Sequence, residues 1–413
     1  MNMFSIHVLQ FVVVAYLLCR FALKAQWRHG FMTVGAAIFI GMQSAPHIAL
    51  SMLFVLMTLM IFVIAWTMGR RIAEAPEDRK ARRLKHGIIL LISPLFFFKL
   101  TQVVVPVHLI SNILAIRGNI EMSALAPLGI SYFSFRSMAY LIEIRKGNIR
   151  PVGFWQLLNY VAFWPTFMAG PIERPGPFFR QTKLLEKLND EDLRTGVTRI
   201  LFGLVKKMIF GEFFYQIASP YLLMSAKPVG ALGEWSSWQL WICLHAYYFY
   251  LYCDFSGYSD VAIGIARIFG YRIMENFRWP ILAVNIADFW RRWHISLTSW
   301  ITDYVYIGLG GNRHGPQIAA RNTMTAMLLV GLWHGLSPHF ALWGIYHAIF
   351  LNIYRQMRAR NESHQEPKAW WRTGIAWFVT FQIVNLGWVP FIFSAHRTVI
   401  IWSKLFGLSG GLP

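Results

Sequence analysis

Apolar residues along this chain fall in blocks of helical length, separated by short polar or basic stretches. The first block, Phe4 to Cys19, has no basic residue before it and no small-residue cleavage site after it, so it reads as a retained span, not a removable signal. Lys24 and Arg28 follow, then the apolar runs Phe31 to Gly41 and His47 to Gly69, then Arg70 to Lys85 with seven Lys or Arg against three acids. If positive loops face the cytoplasm, the N-terminus is outside and both basic loops are inside. Phe31–Gly41 is shorter than the ~20 residues of a perpendicular crossing. It therefore draws residues from its flanks, tilts little, or only dips into the bilayer.

Gly87 to Val105 and Ala124 to Ile144 give two further spans, and Arg145, Lys146 and Arg150 return the chain to the cytoplasm. Val152 to Gly170 has the composition of a span but runs into Gly170-Pro171-Ile172-Glu173-Arg174-Pro175-Gly176-Pro177, whose prolines cannot continue a helix. Non-helical backbone at membrane depth survives only inside protein or beside a water-filled cavity, which predicts a re-entrant or pore-lining segment here. Val197 to Leu223 follows, then Trp238 to Phe269, which carries Asp254 and Asp260; acids there are costly unless they face a polar interior. Met324 to Tyr354 and Ala376 to Phe393 supply the last spans, with the basic stretch Arg355 to Arg372 between them. The pattern predicts an all-α polytopic membrane protein of roughly nine to eleven embedded segments, some re-entrant or interfacial, forming one domain over residues 1–413.

Composition agrees with that reading. Of 413 residues, 56% are hydrophobic, 16% aromatic and only 14% charged, whereas soluble domains carry about 25% charge. The same figures exclude a disordered or collagen-like chain, and three cysteines (Cys19, Cys243, Cys253) cannot staple a fold of this size. A net charge of +20 could suggest nucleic acid, but no basic segment carries a recognition motif, so no nucleic-acid partner is expected and the excess reads as cytoplasmic-loop charge.

Two places could carry chemistry. From Ile286 to Tyr304 the large side chains Ile286, Phe289, Trp290, Trp293, Leu297, Trp300, Ile301 and Tyr304 recur at helical spacing, which predicts one amphipathic helix slanting into the cytoplasmic interface. Its other face carries Arg291, Arg292 and His294. That face fits a plain membrane anchor, and it equally fits a site for an anionic, phosphate-bearing substrate. His334 stands alone among apolar residues in Met327-Leu328-Leu329-Val330-Gly331-Leu332-Trp333-His334-Gly335. An ionisable group at that depth points to function, although a neutral histidine hydrogen-bonded between helices fits the residues as well.

Other constellations are weak. His334, His339 and His347 are 5 and 8 residues apart, do not stack on one helical face and have no acid beside them, so no metal is expected. Gly308-Leu309-Gly310-Gly311-Asn312 lacks the flanking strand and helix of a phosphate loop and reads as a turn.

Six ordered motifs connect the chain to a known family: Pro127-Leu128-Gly129-Ile130-Ser131-Tyr132, Ala169-Gly170-Pro171-Ile172-Glu173-Arg174, Asp254-Phe255-Ser256-Gly257-Tyr258-Ser259-Asp260, Glu275-Asn276-Phe277, the run Asp288 to Leu297, and Gly331-Leu332-Trp333-His334-Gly335. With these the chain resembles the membrane-bound O-acyltransferases, in the bacterial branch of alginate O-acetyltransferases and teichoic-acid D-alanyl transferases. Gly308 to Arg313 looks like the polysaccharide acetyltransferases, while His334 to Pro338 and Tyr346-His347 look like the D-alanyl transferases. The resemblance implies a helical membrane protein around a central tunnel, with His334 as principal catalytic histidine and His294 as its companion. Arg291 and Arg292 would then hold donor phosphates at the cytoplasmic mouth, unless they bind anionic lipid.

The implied reaction is acyl transfer to a hydroxyl, with His334 taking the hydroxyl proton near neutral pH and His294 positioning the thioester carbonyl or the collapsing intermediate. The implied donor is acetyl-CoA or a carrier-protein thioester, with no bound cofactor. The implied acceptor is an envelope or secreted polysaccharide, reached directly or through an extracytoplasmic acyltransferase partner, and the implied location is the inner, cytoplasmic membrane. D-alanyl transfer to teichoic acid is the alternative within the family. A transporter, which would predict inverted repeats, or a membrane scaffold, in which the histidines would be replaceable, are the alternatives outside it.

Overall fold

The computed structural model describes residues 6–44, 48–104, 129–181, 188–361 and 369–408. Phe4, residues 124–128 with Pro127 and Leu128 of the first motif, and part of the Arg355–Arg372 stretch lie outside them. Among the described residues every regular element is helical and none is a strand. Met52–Ala73, Glu77–Thr101 and Trp370–Ile392 are long and apolar enough to cross a membrane as single helices. The chain forms two compact units, Met1–Leu204 with Tyr258–Met274, and Val205–Gly257 with Glu275–Pro413.

The first unit begins with α1 (Ile6–Leu17), prolonged by a π-turn at Leu18–Ala22, then α2 (Ala25–Ser44), α3 (Ile48–Ala73) and α4 (Glu77–Val104). Helix α2 answers the short Phe31–Gly41 run: it draws on both flanks to reach 20 residues, about 30 Å at 1.5 Å per residue. The basic Arg70–Lys85 stretch is not an open loop, because α3 continues to Ala73 and α4 already starts at Glu77. Glu77 and Asp78 lie in the first turn of α4, where acids complement the helix dipole. Next come α5 (Ile130–Arg145), α6 (Phe154–Val161), α7 (Pro175–Arg180) and α8 (Asp190–Val205).

Val152–Gly170 does not form a span. Helix α6 ends after 8 residues, and the buried chain from Ala162 to Arg174 is mostly irregular. Side chains supply the partners that such backbone needs. Arg136 of α5, 1% exposed, donates to the carbonyls of Tyr160 at 3.4 Å and Thr166 at 2.9 Å, and to the Thr166 hydroxyl. The Tyr258 hydroxyl accepts from the Ala169 N–H, and the Tyr160 hydroxyl donates to the Glu173 carbonyl. Glu173 in turn accepts the Met274 N–H at 2.9 Å.

The second unit contains α9 (Glu212–Leu223), preceded by a π-turn at Lys206–Gly211, and most of α10 (Ser237–Ile268). Helices α11 (Ile286–Arg292), α12 (Ile295–Ile301), α13 (Pro316–His334), α14 (Pro338–Asn361), α15 (Trp370–Ile392) and α16 (Ala395–Leu405) complete it. Met324–Tyr354 is therefore not one span but a helical hairpin that turns at 335–337.

The acids on α10 are ion-paired, not solvated by a polar interior. In the first unit Asp260 accepts from Arg199 of α8 at 2.9 and 3.1 Å. In the second, Asp254 pairs with Lys207 of the π-turn. Within the first unit α8 and α10 touch backbone to backbone at two glycines, since a Cβ on Gly196 would lie 2.6 Å from the Gly264 carbonyl and one on Gly264 2.7 Å from the Gly196 carbonyl.

Among the described residues three long helices carry an interior proline, and in each the carbonyl four residues earlier, which proline cannot pair, finds another donor. Ser93 donates to Leu90 O below Pro94 at 3.3 Å. Ser219 donates to Gln216 O below Pro220 at 3.3 Å. The Trp402 indole donates to Leu386 O below Pro390 at 3.2 Å.

Candidate active site

Asn285 caps α11, its side chain accepting the Asp288 N–H at 2.8 Å. The helix then lasts two turns and stops. Trp293 is extended (φ −103, ψ 128) and His294 is left-handed (φ 44, ψ 51) before α12 resumes at Ile295. The single helix expected over Ile286–Tyr304 is thus two helices meeting at a break. A left-handed non-glycine residue costs about 1–2 kcal/mol, and here tertiary pairing offsets it. Arg278 donates its N–H to Arg292 O at 3.0 Å and Ile295 donates to Asn276 O at 2.9 Å, so the segment 276–278 runs alongside the break.

This arrangement buries His294 to 3% exposure. Its Nδ1 lies 3.1 Å from Asn276 Oδ1, which also accepts from the Ser296 hydroxyl at 2.9 Å and the Ser296 N–H at 3.3 Å. Its Nε2 is buried and has no hydrogen-bond partner. Phe255 meets the ring edge-on at 4.7 Å and Trp333 at 5.9 Å.

His334 is the last residue of α13. It is held there because α13 and α14 touch through glycines: a Cβ on Gly331 would lie 2.2 Å from Phe340 O, and one on Gly344 would lie 2.4 Å from Met327 O. The half-buried His334 ring meets Trp333 edge-on at 4.6 Å, Phe391 at 4.8 Å and Trp343 at 5.4 Å, and stacks on Phe340 at 5.9 Å. The two histidines, 40 positions apart in sequence, therefore lie against one indole, that of Trp333.

Arg291 and Arg292 are placed differently. Both pair with Asp288 on their own helix, at 3.4 and 2.9 Å, and Arg292 also donates to Arg278 O at 3.3 Å. Arg291 is the more open of the two, with 63% of its side chain exposed. His339 sits apart, its Nδ1 3.3 Å from Pro390 O. His347 is fully buried between Trp290 and Trp343, at ring distances of 5.1 and 5.0 Å, with neither ring nitrogen partnered. Among the described residues no three His, Cys, Asp or Glu side chains gather as metal ligands. The Gly308–Asn312 segment is a turn, its Leu309 and Gly311 carbonyls bound by Asn322 at 3.1 and 2.9 Å.

Residues 123–387, which include both histidines, match the membrane-bound O-acyltransferase family. The chain belongs to that family. A probable alginate O-acetylase of Pseudomonas syringae pv. tomato is 31% identical over 396 residues, covering 94% of this chain and 72% of the relative. The peptidoglycan O-acetyltransferase of Helicobacter pylori is 33% identical over 354 residues, 76% of this chain and 63% of the relative. The teichoic acid D-alanyltransferase of Bacillus subtilis is 31% identical over 278 residues, 64% of this chain and 68% of the relative. The chain thus spans about two thirds of the length of these relatives. As a membrane-bound O-acyltransferase it is a multi-pass membrane enzyme that transfers acyl groups.

Proposed function

We propose that this acyltransferase moves an acetyl group from a cytoplasmic thioester, acetyl-CoA or an acyl carrier protein, to a hydroxyl of an envelope or secreted polysaccharide. The carrying observation is the shared Trp333: histidines from two separate motifs both pack edge-on against one ring. Relatives named for O-acetylation of alginate and peptidoglycan support the choice of acyl group and acceptor class.

In this reading His334 takes the proton of the acceptor hydroxyl as its oxygen attacks the thioester carbonyl. The tetrahedral intermediate then expels the thiolate, which recovers the proton from His334, leaving an ester and a free thiol. A well-placed base of this kind is worth about 10²- to 10⁴-fold in rate. His294, packed against the same Trp333 ring, helps hold the reactants. Arg291 and Arg292 contact donor phosphates at the cytoplasmic face, with Asp288 keeping both side chains in place. The reaction is sited in the cytoplasmic membrane, where a tunnel brings the acyl group to an acceptor or partner acyltransferase outside.

The test is NMR and mass analysis of base-labile esters on envelope and secreted polymers from cells with the intact protein, the deletion and His334→Ala. Loss of one ester signal in both altered strains identifies acyl group and acceptor together. A D-alanyl ester in place of acetyl would select the second reading, which the Bacillus subtilis relative favours. Persistence of every ester at normal levels of the His334→Ala protein would defeat the catalytic assignment.

A further inference from the structure

Asn276 lies 18 positions before His294 and is 0% exposed. Its carboxamide orientation is fixed by its neighbours. The Ser296 backbone N–H can only donate, so the Asn276 atom facing it is the oxygen. That oxygen can only accept, so His294 Nδ1, 3.1 Å away, carries a proton. A neutral imidazole has one ring proton, which leaves Nε2 with a lone pair. Nε2 is also the atom that the fold buries without a partner.

We propose that Asn276 is a positioning residue, holding His294 in the Nδ1-protonated tautomer so that Nε2 accepts a hydrogen bond from a hydroxyl of the acceptor polymer. This rests on the transfer to a hydroxyl set out above and gives the two histidines distinct tasks. His334 takes the proton that the reaction releases. His294 orients a hydroxyl and does not polarise the thioester carbonyl, because its free nitrogen has no proton to offer. A buried acceptor without a partner carries a desolvation cost that a bound hydroxyl relieves, and the substrate gains orientation from the same bond. The backbone pairing of 276–278 with the break at 293–294 places Asn276 independently of its side-chain bonds, so the carboxamide is set before substrate arrives.

The test uses full-length protein, labelled with 15N-histidine, in lipid bilayers. Solid-state 15N NMR, with the His294 signals assigned by their loss in His294→Gln, reads each ring nitrogen as protonated or bare without any substrate. The expected result is a protonated Nδ1 and a bare Nε2 in the wild type, and a loss of that preference in Asn276→Ala. In acyl-transfer assays Asn276→Ala should lose about 10²-fold in kcat with little change in KM for the thioester. Asn276→Asp keeps an oxygen acceptor in place and should recover most of the loss. Ser296→Ala leaves the Nδ1 bond intact and should act nearly as wild type. A protonated Nε2 in the wild type overturns the proposal, as does equal impairment of Asn276→Ala and Asn276→Asp when both retain the wild-type melting temperature. Absence of transfer by the wild type would count against the proposed function; a wrong tautomer would count against Asn276 alone.

Discussion

Each unit buries a polar centre; both keep some unpartnered atoms, Ser134 Oγ, Ser137 Oγ and Asn159 Oδ1 among those of the first, but their largest polar groups are partnered differently. In the first, Arg136 spends both terminal nitrogens on the carbonyls and hydroxyl of the irregular chain at Tyr160 and Thr166, leaving only its Nε over. In the second, polar atoms are packed among aromatic rings and left without partners: His294 Nε2, both nitrogens of His347, and the indole nitrogens of Trp290, Trp343 and Trp388. Paired groups hold backbone in place and need nothing further. Unpaired buried groups cost stability that a ligand's hydrogen bonds can offset. In the proposed function the first centre is scaffold and the second is chemistry, and substitutions should separate them.

The largest effect expected is in the second centre. His334→Ala should lower the rate of acyl transfer by about 10²- to 10⁴-fold while leaving the melting temperature in detergent nearly unchanged, because the half-buried ring makes aromatic contacts at one helix end. A comparable fall in melting temperature would make His334 a packing residue. Arg136→Met should do the reverse. It strips partners from the buried Tyr160 and Thr166 carbonyls, which costs about 1–3 kcal/mol for each acceptor left unpaired. Thermal unfolding and the yield of folded protein read that loss, and activity per folded molecule should hold.

How much of this could be read from the residues differs between the centres for a physical reason. His334 stands out as a candidate in the sequence because a lone ionisable group in an apolar run is visible at one position. The face of Ile286–Tyr304 was legible as burial: Ile286, Phe289, Trp290, Trp293, Leu297, Trp300 and Ile301 are all buried. Its break was not, because the apolar spacing continues across Trp293 and His294 while the kink comes from pairing with residues 276–278. Asn276 stood in a motif, but nothing local ties it to a ring 18 positions away. The partners of the α10 acids were hidden likewise, since Asp260 and Arg199 are 61 positions apart. Period reports which side of a helix is covered; it does not report what covers it.

A smaller effect should follow from the contact that sets His334 in place. Gly331→Ala puts a Cβ 2.2 Å from Phe340 O and must push α13 from α14. Overpacking of this sort costs about 1–3 kcal/mol. It should also lower activity more than stability alone accounts for, because His334 is three residues on, at the end of the displaced helix. Gly196→Ala meets a similar clash, 2.6 Å from Gly264 O in the first unit, and serves as the matched control. It should lower melting temperature without a change in turnover per folded molecule. If both glycines affect turnover alike, the division between scaffold and chemistry fails.

The smallest effect lies on the helix that backs His334. Pro390 leaves Leu386 O without a helical donor, and the Trp402 indole of α16 supplies one at 3.2 Å. Trp402→Phe keeps an aromatic ring against Tyr346, now 5.8 Å away, and removes only the N–H. Such bonds in membrane proteins are worth about 0.6 kcal/mol on average and up to about 1.7, so the melting temperature should fall slightly. Phe391, next to that proline, touches the His334 ring at 4.8 Å, but the substitution leaves Pro390 itself in place. Turnover should therefore stay within about threefold of wild type. Adding Pro390→Ala to Trp402→Phe restores a backbone donor for Leu386 O, and it should recover the stability lost while changing the last turn of α15 beside Phe391. Stability regained together with turnover lost would show that the proline itself, not the hydrogen bond to Leu386 O, is what acyl transfer requires.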